Sequence, residues 1–236
     1  MTKQLNMSQQ HLPKHVALIM DGNRRWAKEQ DKSPLEGHEE GEQRIEPLVD
    51  RAIELGIPYL TFWAFATKNW RRTKKEVDFL MKLFRENLSK KVDSFHRKNV
   101  RVNVIGNLSQ FPTDIQTMTR EWVERTKNNT KIIVNIALSY GGRDELIRAI
   151  KQIVREEISP DTIDEQVVSN HLDTAGQPDP DLLIRTGRVV RLSGFLIWQL
   201  EYAEFYFTHK LWPEFTVDEF EKALFWYQEQ KRNFGK

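Results

Sequence analysis

Short apolar runs alternate with longer amphipathic runs along this chain of 236 residues, and the alternation constrains the fold more than any other feature. The apolar runs have the length of strands and cover residues 16–20, 59–65, 100–105, 131–138, 182–184 and 204–207. Strands that alternate with helices pair mostly in parallel. The sequence therefore predicts an α/β fold, a single domain with a central, mostly parallel sheet flanked by helices.

Apolar side chains recur every three or four residues between these runs, which is the period of an amphipathic helix. The pattern predicts helices over residues 42–55, 75–97, 113–125 and 144–156, and residues 26–28 begin a further one. Thr216 and Glu219 have the spacing of a capping box, which predicts that a last helix begins there.

The composition excludes several classes of protein. Lysine and arginine number 36 against 34 aspartates and glutamates, and a net charge of +2 argues against nucleic-acid binding. The absence of cysteine excludes disulfides, thiol catalysis and cysteine-bound metals, and fits a reducing cytoplasm. Residues 1–14 are polar and lack the apolar region of a signal peptide, so we expect a flexible tail before a folded domain of residues 15–236. No apolar run reaches the roughly 18–20 residues that span a bilayer.

The first apolar run ends in a polar stretch, formed by Asp21, Gly22, Asn23, Arg24, Arg25 and Trp26. A loop between a strand and a helix directs backbone N–H groups at one point, where an anion binds well, and the arginines add fixed positive charge. Asp21 adds a ligand for a hard cation. The stretch indicates a diphosphate held with Mg²⁺, but it is equally typical of a strand-to-helix turn with a solvated charge pair.

Two later segments carry further candidate groups. His38 lies between two glycines just before a predicted helix, and its imidazole suits phosphate binding or proton transfer, or simply a helix start. Asn69 and Arg72 follow the second strand within an aromatic and basic cluster. We expect these two side chains to be functional and the aromatic side chains of Trp63 and Phe65 to belong to the core.

Five polar residues lie close together after the fifth apolar run: Arg185, Thr186, Arg188, Arg191 and Ser193. With the glycines beside them they suit an oxyanion, although an exposed loop has the same composition. Glu204 begins an aromatic strand, where burial of an unpaired carboxylate is costly. A metal or an arginine would explain Glu204, and so would an exposed strand edge.

Taken in order, these residues resemble the motifs of the cis-prenyltransferase family. The resemblance runs from His15 to the C-terminus without a large insertion. It rests on eight stretches in register: His15-Val16-Ala17-Leu18-Ile19-Met20-Asp21-Gly22-Asn23, Gly37-His38, Asn69-Trp70-x-Arg72, Asn135-x-x-x-x-Tyr140-Gly141-Gly142-Arg143, Arg185-Thr186 with Arg191-x-Ser193, Phe195-Leu196-Ile197-Trp198-Gln199, Tyr202-Ala203-Glu204-x-Tyr206-Phe207, and Leu211-Trp212-Pro213.

The resemblance implies a homodimeric, Mg²⁺-dependent transferase. Such an enzyme adds isopentenyl diphosphate repeatedly to an allylic diphosphate, such as farnesyl diphosphate, and forms cis double bonds. The product implied is a polyprenyl diphosphate of undecaprenyl length, the carrier precursor for cell-wall glycan synthesis. The resemblance also implies a cytoplasmic protein that contacts the membrane surface peripherally when it releases its product.

The family's roles transfer only to matching residues. Asp21 would be the essential carboxylate and, with Glu204, would set the metal, while Asn69 and His38 would be the other catalytic residues. Asn23, Arg25 and the backbone of residues 22–25, which includes Gly22 and Arg24, would hold the allylic diphosphate, and Arg185, Arg191 and Ser193 would bind isopentenyl diphosphate. His38, Asn69 and Arg72 would line the reaction centre, and Trp26 and Trp70 would be further substrate-binding residues. The apolar product implies an apolar tunnel between sheet and helices, with residues 77–95 and 132–138 as its expected walls.

The chain departs from the family at Pro34, Ala66, Lys68, Arg188, Val189 and Asn233. The family usually has glycine and glutamate where Arg188 and Val189 stand, which shifts the local charge by two units toward positive. We therefore expect the arginines to hold more of the diphosphate and the metal less, unless Arg188 points into solvent.

Two other functions stay open at this point. One is a short-chain or branching synthase of the same family, which the length of the product would distinguish. The other is a non-catalytic accessory protein that binds a lipid diphosphate, against which the presence of Asp21 and Arg25 argues.

Overall fold

The computed structural model describes residues 11–231, which form strands and α-helices in alternation. The strands are β1 (His15–Ile19), β2 (Tyr59–Ala66), β3 (Val100–Ile105), β4 (Ile132–Tyr140), β5 (Leu182–Arg185) and β6 (Glu204–Phe207). The helices are α1 (Asn23–Glu29), α2 (Pro34–Glu42), α3 (Ile45–Leu55), α4 (Lys74–Arg97), α5 (Thr113–Thr126), α6 (Gly142–Arg155), α7 (Glu165–Asn170) and α8 (Val217–Gln228). No helix among the described residues is both long enough and apolar enough to cross a membrane.

The six strands form one sheet in the order β3-β4-β2-β1-β5-β6. β1 pairs in parallel with β5, with Val16 opposite Leu182 and Ile19 opposite Arg185. β5 pairs in parallel with β6, and β3 pairs in parallel with β4. The predicted α/β fold with a parallel central sheet and flanking helices is confirmed.

Two compact units can be distinguished within this fold. The first contains the described parts of residues 1–60, 180–190 and 202–236, which include β1, β5, β6, α1–α3 and α8. All residues of β1 and β5 are buried, which explains why β1 is apolar after His15 and β5 is apolar up to Arg185. The helix α3 packs against α8, and its buried residues are Leu48, Val49 and Ala52.

The second unit contains residues 61–179 and 191–201, which include β3, β4 and α4–α7. Its longest helix, α4, packs against α5 and β3. The buried residues of this unit include Val100, Val102 and Ile105 on β3 and Val134 and Ala137 on β4. These side chains form the apolar centre that the periodicity of the sequence predicts.

The predicted elements differ from the observed ones in three places. α2 and α7 were not predicted, so His38 lies within a helix and not before one. α2 has a Ser33–Glu36 capping box with Pro34 in the first turn, a signal present in the sequence, but its two glycines are poor helix formers. The predicted capping box at Thr216 is wrong, because Thr216 makes no side-chain capping bond.

Two expectations concern residues beyond the described ones. Most of the predicted tail of residues 1–14 lies outside the described range, and so does the departure at Asn233. The chain that is described enters β1 at His15, where the folded domain was expected to begin.

Candidate active site

The Asp21 carboxylate lies between two guanidinium groups in the first unit. Its Oδ1 is 2.8 Å from Nη2 of Arg25, and its Oδ2 is 2.9 Å from Nη2 of Arg185. The Arg185 side chain is only 4% exposed, whereas those of Asp21 and Arg25 are 32% and 40% exposed. Two positive charges against one negative charge make this group, the Asp21 cluster, a site that favours an anion.

Thr186 holds the backbone of Asp21 in place. Its hydroxyl accepts a hydrogen bond from the Asp21 N–H at 3.0 Å and donates one to the Asp21 carbonyl at 2.7 Å. Gly187 follows with φ +92°, and a Cβ there would lie 2.9 Å from the Asp21 carbonyl carbon and oxygen. The turn after β5 can therefore approach Asp21 only with glycine at this position. The carboxylate is thus fixed at the carboxyl edge of the strands, where open α/β sheets bind ligands.

Asn23 and His38 meet where α1 packs on α2. The Asn23 Nδ2 is 3.4 Å from the His38 Nδ1. Gly37 and Gly41 allow this approach, because a Cβ on either would overlap with Asn23. The Gly41 carbonyl accepts a hydrogen bond from the Trp212 indole at 2.6 Å. The glycines that flank His38 therefore serve helix packing, and they place the imidazole beside the first residue of α1.

Arg24 and Trp26, two further predicted substrate-binding residues, lie on α1. Arg24 is exposed. Trp26 is half-buried, and the Lys32 ammonium lies 4.9 Å from its ring centroid, a cation–π contact. The indole of Trp26 therefore already has a cation on its face.

Arg188 does not join the Asp21 cluster. Its Nη1 lies 2.8 Å from Oε1 of Glu29 at the end of α1. It does not simply point into solvent either, because the pair with Glu29 holds its guanidinium. The positive charge that Arg188 adds is paired with Glu29, which offsets part of the expected charge shift.

Glu204 lies at the amino ends of the parallel strands, whereas Asp21 lies at their carboxyl ends. It begins β6 opposite Leu182, which in turn lies opposite Val16 in β1. Asp21 comes five residues after Val16, and at about 3.3 Å per residue the two carboxylates are separated by roughly 15 Å along the strands. A single chain therefore does not bring Asp21 and Glu204 to the same ion.

Asn69 lies within a short 3₁₀ helix of the second unit, Thr67–Arg71, and Arg72 follows it directly. The Asn69 Oδ1 accepts a hydrogen bond from the Ala66 N–H at 2.8 Å, which stabilises the turn after β2. The Arg72 Nη1 lies 2.8 Å from Oε1 of Glu76 in the first turn of α4. Both candidate residues thus have structural partners at the carboxyl end of β2.

Trp70 belongs to an aromatic cluster with Phe65, Phe84 and Phe111. The ring centroids of its members lie 4.8–6.0 Å apart in tilted or edge-on pairs. The Trp70 indole N–H donates a hydrogen bond to Ser139 Oγ at 2.9 Å. The expectation that the aromatic residues of this segment belong to the core is confirmed for Phe65, which is 1% exposed.

Arg191 and Ser193 lie in an exposed loop of the second unit. The Gly142 N–H donates a hydrogen bond to the Gly194 carbonyl at 2.7 Å, just beyond Ser193. A Cβ on Gly142 would lie 2.6 Å from the Ile197 side chain. The second glycine of the Tyr-Gly-Gly-Arg stretch therefore allows this loop to pack on the start of α6.

A buried carboxylate holds the far end of the same loop. Glu145 is 1% exposed and accepts hydrogen bonds from the Tyr140 hydroxyl, from Gln199 Nε2 at 3.2 Å and from the Asp173 N–H at 3.1 Å. Gln199 Nε2 also lies 3.0 Å from Thr174 Oγ1. Burial raises the pKa of Glu145, and the hydrogen bonds from Tyr140 and Gln199 oppose that rise.

Sequence reasoning missed Glu145, Gln199 and Glu29. A usable signal existed for Glu145, because Glu145, Ala149 and Ile153 share one face of α6 and are all buried. A carboxylate on the apolar face of a helix needs hydrogen-bond partners, and this pattern could have indicated Glu145 as a buried, hydrogen-bonded group. No local pattern joins Glu29 to Arg188, which are 159 residues apart in sequence.

Comparisons with known proteins agree with this architecture. Residues 19–235 match the family model described as putative undecaprenyl diphosphate synthase. An isoprenyl transferase of Clostridium perfringens is 41% identical over 238 residues, covering 99% of this chain and 94% of that protein. A ditrans,polycis-undecaprenyl-diphosphate synthase ((2E,6E)-farnesyl-diphosphate specific) of Vibrio cholerae is 42% identical over 235 residues, covering 98% and 94%.

A solved structure also resembles the chain throughout. Lavandulyl diphosphate synthase from Lavandula x intermedia, crystallised in complex with dimethylallyl diphosphate, superposes with a TM-score of 0.92 at 36% identity. The match covers 95% of this chain and 99% of that one. With the parallel sheet and the Asp21 cluster, these matches show that the chain belongs to the undecaprenyl diphosphate synthase family and is a cis-prenyltransferase.

Proposed function

We propose that the protein condenses isopentenyl diphosphate repeatedly onto an allylic diphosphate, with farnesyl diphosphate as the primer. Each addition forms a cis double bond, and the product is a polyprenyl diphosphate of undecaprenyl length that serves as carrier precursor for cell-wall glycan. The observation that carries the proposal is the Asp21 cluster, with one carboxylate and two arginines at the carboxyl edge of β1 and β5. The farnesyl-specific relative from Vibrio cholerae supports the choice of primer.

In the proposed reaction the allylic diphosphate binds on the Arg25 side of the Asp21 cluster, at Arg25, Asn23 and the backbone of residues 22–25. The allylic C–O bond breaks and its electron pair leaves with the diphosphate, whose new negative charge Arg25 stabilises. The double bond of isopentenyl diphosphate then attacks the allylic carbon and forms the new C–C bond. A proton leaves the condensed product to an oxygen of the departing diphosphate or to a nearby side chain.

Asp21 is the residue that we propose as ligand for Mg²⁺. Among residues 11–231 no three carboxylate, imidazole or thiol groups lie together as a metal site. Mg²⁺ is commonly held by one or two carboxylates together with water and substrate phosphates. A single carboxylate beside an anion site therefore fits an ion that arrives with the diphosphate. When bound, the ion would neutralise charge on the leaving group.

Isopentenyl diphosphate is proposed to bind through Arg185, Arg191 and Ser193. Arg185 is buried and already oriented by the Asp21 carboxylate, whereas Arg191 and Ser193 are exposed. The roles of His38, Asn69 and Arg72 near the reacting carbon atoms stay predictions, as does an apolar tunnel for the product along α4 and β4. So do a cytoplasmic location and contact with the membrane surface.

A homodimer is part of the proposal. Ile147, Ile150 and Val154 on α6 are 53%, 55% and 69% exposed and form one stripe at helical spacing. Such an apolar stripe is costly in water, and a second copy of the chain would cover it. Glu204 could reach the metal of another copy only in such an assembly, because it is remote from Asp21 in its own chain.

Sedimentation equilibrium tests the dimer. We expect a dimer for the parent protein and a monomer for Ile150→Asp, because the substitution places a charge in the apolar stripe. Gln152→Asp is the matched control, since Gln152 is exposed and lies on the opposite side of α6 at about 100° per residue. Dissociation by both variants, or by neither, would contradict the assignment of this stripe to the interface.

The activity test uses purified protein with farnesyl diphosphate, isotopically labelled isopentenyl diphosphate and Mg²⁺. We expect successive five-carbon additions, read by mass spectrometry, and cis geometry at the new double bonds, read by NMR. No incorporation with any allylic primer would reject the proposal and favour a non-catalytic diphosphate-binding protein.

A second candidate is a synthase with a short product and dimethylallyl diphosphate as the primer. The TM-score of 0.92 to lavandulyl diphosphate synthase, whose structure holds dimethylallyl diphosphate, favours this alternative. The same incubation, repeated with dimethylallyl diphosphate as the primer, distinguishes the two. A ten-carbon product that forms from dimethylallyl diphosphate faster than any product forms from farnesyl diphosphate would replace the first candidate.

A further inference from the structure

Two contacts join α1 to the turn that follows β5, one at each end of the helix. At the start of α1, the Arg25 guanidinium donates a hydrogen bond from Nη1 to the Gly187 carbonyl. At the end, the Arg188 guanidinium pairs with both carboxylate oxygens of Glu29, at 2.8 Å and 3.4 Å. Since α1 has only seven residues, these two contacts fix the helix along its length.

The backbone of Arg188 adopts a conformation that favours glycine, although the residue has a long side chain. Its φ is +60°, in the left-handed region where glycine is favoured and other side chains are strained. The guanidinium nevertheless makes a third contact, from Nε to the His209 carbonyl at 3.3 Å. Turn geometry alone would favour glycine here, so the contacts of the arginine side chain are what distinguish this position.

The Glu29–Arg188 pair acts on the face of α1 that carries the cluster residue Arg25. Arg25 and Glu29 are four residues apart, one helical turn, and so lie on the same face. The other Arg25 nitrogen, Nη2, holds the Asp21 carboxylate at 2.8 Å. A shift at Glu29 would therefore move the guanidinium that lies between Asp21 and Gly187.

We propose that Glu29 and Arg188 are positioning residues that hold Arg25 in place for the diphosphate bound at the Asp21 cluster. The inference rests on the proposed function, because it assigns Arg25 to the allylic diphosphate. Loss of the pair would let the end of α1 move, and the diphosphate would bind less tightly. The bond-breaking step would be affected less than binding, since Arg25 itself remains and a bound diphosphate would hold its guanidinium.

The test is a double-mutant cycle with Arg188→Ala, Glu29→Gln and the double variant. Breaking an exposed ion pair should raise KM for farnesyl diphosphate about threefold in each single variant, with a smaller fall in kcat. The double variant should be no worse than either single one, because both remove the same contact. Arg188→Lys should keep more of the affinity than Arg188→Ala, since lysine retains the positive charge but cannot pair with both carboxylate oxygens of Glu29 through two nitrogens.

Arg188→Gly separates the side chain from its strained backbone. The substitution relieves the left-handed strain and removes the pair, so we expect the same threefold rise in KM as for Arg188→Ala. Lys222→Ala, which breaks the exposed Lys222–Glu219 pair on α8, is the matched control and should leave KM unchanged.

A calorimetric titration with inorganic diphosphate supplies a readout that does not need turnover. The pair variants should bind inorganic diphosphate about threefold more weakly than the parent. If the pair variants bind inorganic diphosphate more weakly than the parent but the parent does not condense substrates, the positioning role stands and the proposed function fails. If the parent is active and the variants keep the parental KM and affinity, or if the single effects multiply in the double variant, the positioning role is wrong.

Discussion

At the scale of single residues, the Asp21 carboxylate connects the anion site to the proposed metal. Each of its two oxygens already contacts a guanidinium, so a metal ion could bind Asp21 only by displacing one of these contacts. An allylic diphosphate would draw Arg25 away from Oδ1 of Asp21 and leave that carboxylate oxygen to an ion that comes with the diphosphate. Metal and diphosphate should therefore bind together.

This coupling gives a prediction about metal affinity. We expect the protein alone to bind Mn²⁺, used as a spectroscopic substitute for Mg²⁺, only weakly, and inorganic diphosphate to strengthen binding at least tenfold. Asp21→Ala should abolish the increase, because it removes the carboxylate. Electron paramagnetic resonance of free Mn²⁺ measures both, with Mn²⁺ and diphosphate without protein as the reference, because diphosphate itself binds Mn²⁺. Tight binding of Mn²⁺ without diphosphate would contradict the coupling.

The two arginines assigned to isopentenyl diphosphate should respond differently to substitution. Arg191→Ala should raise KM for isopentenyl diphosphate about tenfold or more with kcat retained, since an exposed side chain loses one charge-assisted contact. Arg185→Ala should also lower kcat, because Arg185 orients the Asp21 carboxylate. Steady-state kinetics with each substrate varied separately tests this. Identical effects of the two substitutions would show that the site assignments are wrong.

The sequence could indicate Asp21, Arg25 and Arg185, because each comes at the end of an apolar strand or just after it. Parallel pairing of β1 with β5 then brings Asp21 and Arg185 together. It could not place Glu204, because the direction and register of β6 decide at which edge of the sheet its first residue lies. The Glu29–Arg188 pair depends on the conformation of the turn after β5, which no local sequence pattern predicts.

At the scale of elements, the packing of α1 on α2 depends on two glycines. A Cβ on Gly41 would overlap with Asn23 Oδ1 and lie 2.6 Å from the Trp212 ring. The two helices can approach closely only where α2 lacks side chains. Helix periodicity predicted part of α1 but not α2, since Gly37 and Gly41 weaken both the apolar pattern and helix propensity.

Gly41→Ala tests this packing. We expect it to lower the free energy of unfolding by about 1–3 kcal/mol, because the added methyl group has no space. The affinity for inorganic diphosphate should fall with it, since Asn23 begins the helix that carries Arg25. Urea unfolding measures the first effect. Glu39→Ala, at an exposed position of α2, is the control and should change neither quantity.

The buried Glu145 gives the second unit a pH-dependent stability. Burial raises the pKa of Glu145 above its ordinary value of 4.5, with Asp173 adding to the rise, and Tyr140 and Gln199 opposing it through hydrogen bonds. The folded state therefore binds a proton that the unfolded state releases as pH rises past about 4.5. Between that pH and the raised pKa of Glu145, the free energy of unfolding falls as pH increases. Above the raised pKa, the contribution of the bound proton to stability is lost completely.

Glu145→Gln should remove this contribution, because the amide does not titrate. The difference in unfolding free energy between variant and parent should therefore shift in favour of the variant as pH rises from 4 to 7. Urea unfolding at several pH values measures it. A difference that stays constant across this range would show that the carboxylate keeps its ordinary pKa.

At the scale of the whole molecule, the alternation of strands and helices was sufficient to predict the fold class. The six strands lie where the apolar runs predicted them, and the bounds of β3 and β6 agree residue for residue. The strand order was not predictable, because apolar runs carry no information on their neighbours. The substrate was not predictable from charge and spacing either, and it came from the family resemblance.

A single-turnover experiment tests the central claim most directly. Enzyme in excess is mixed with labelled farnesyl diphosphate, isopentenyl diphosphate and Mg²⁺, and the first five-carbon addition is timed by rapid quenching for the parent and Asp21→Ala. We predict that the parent forms the product and that the variant is slower by about 10³-fold or more. The variant should still bind metal-free inorganic diphosphate at least as tightly, since its two arginines remain. A variant that condenses at the parental rate would contradict the account.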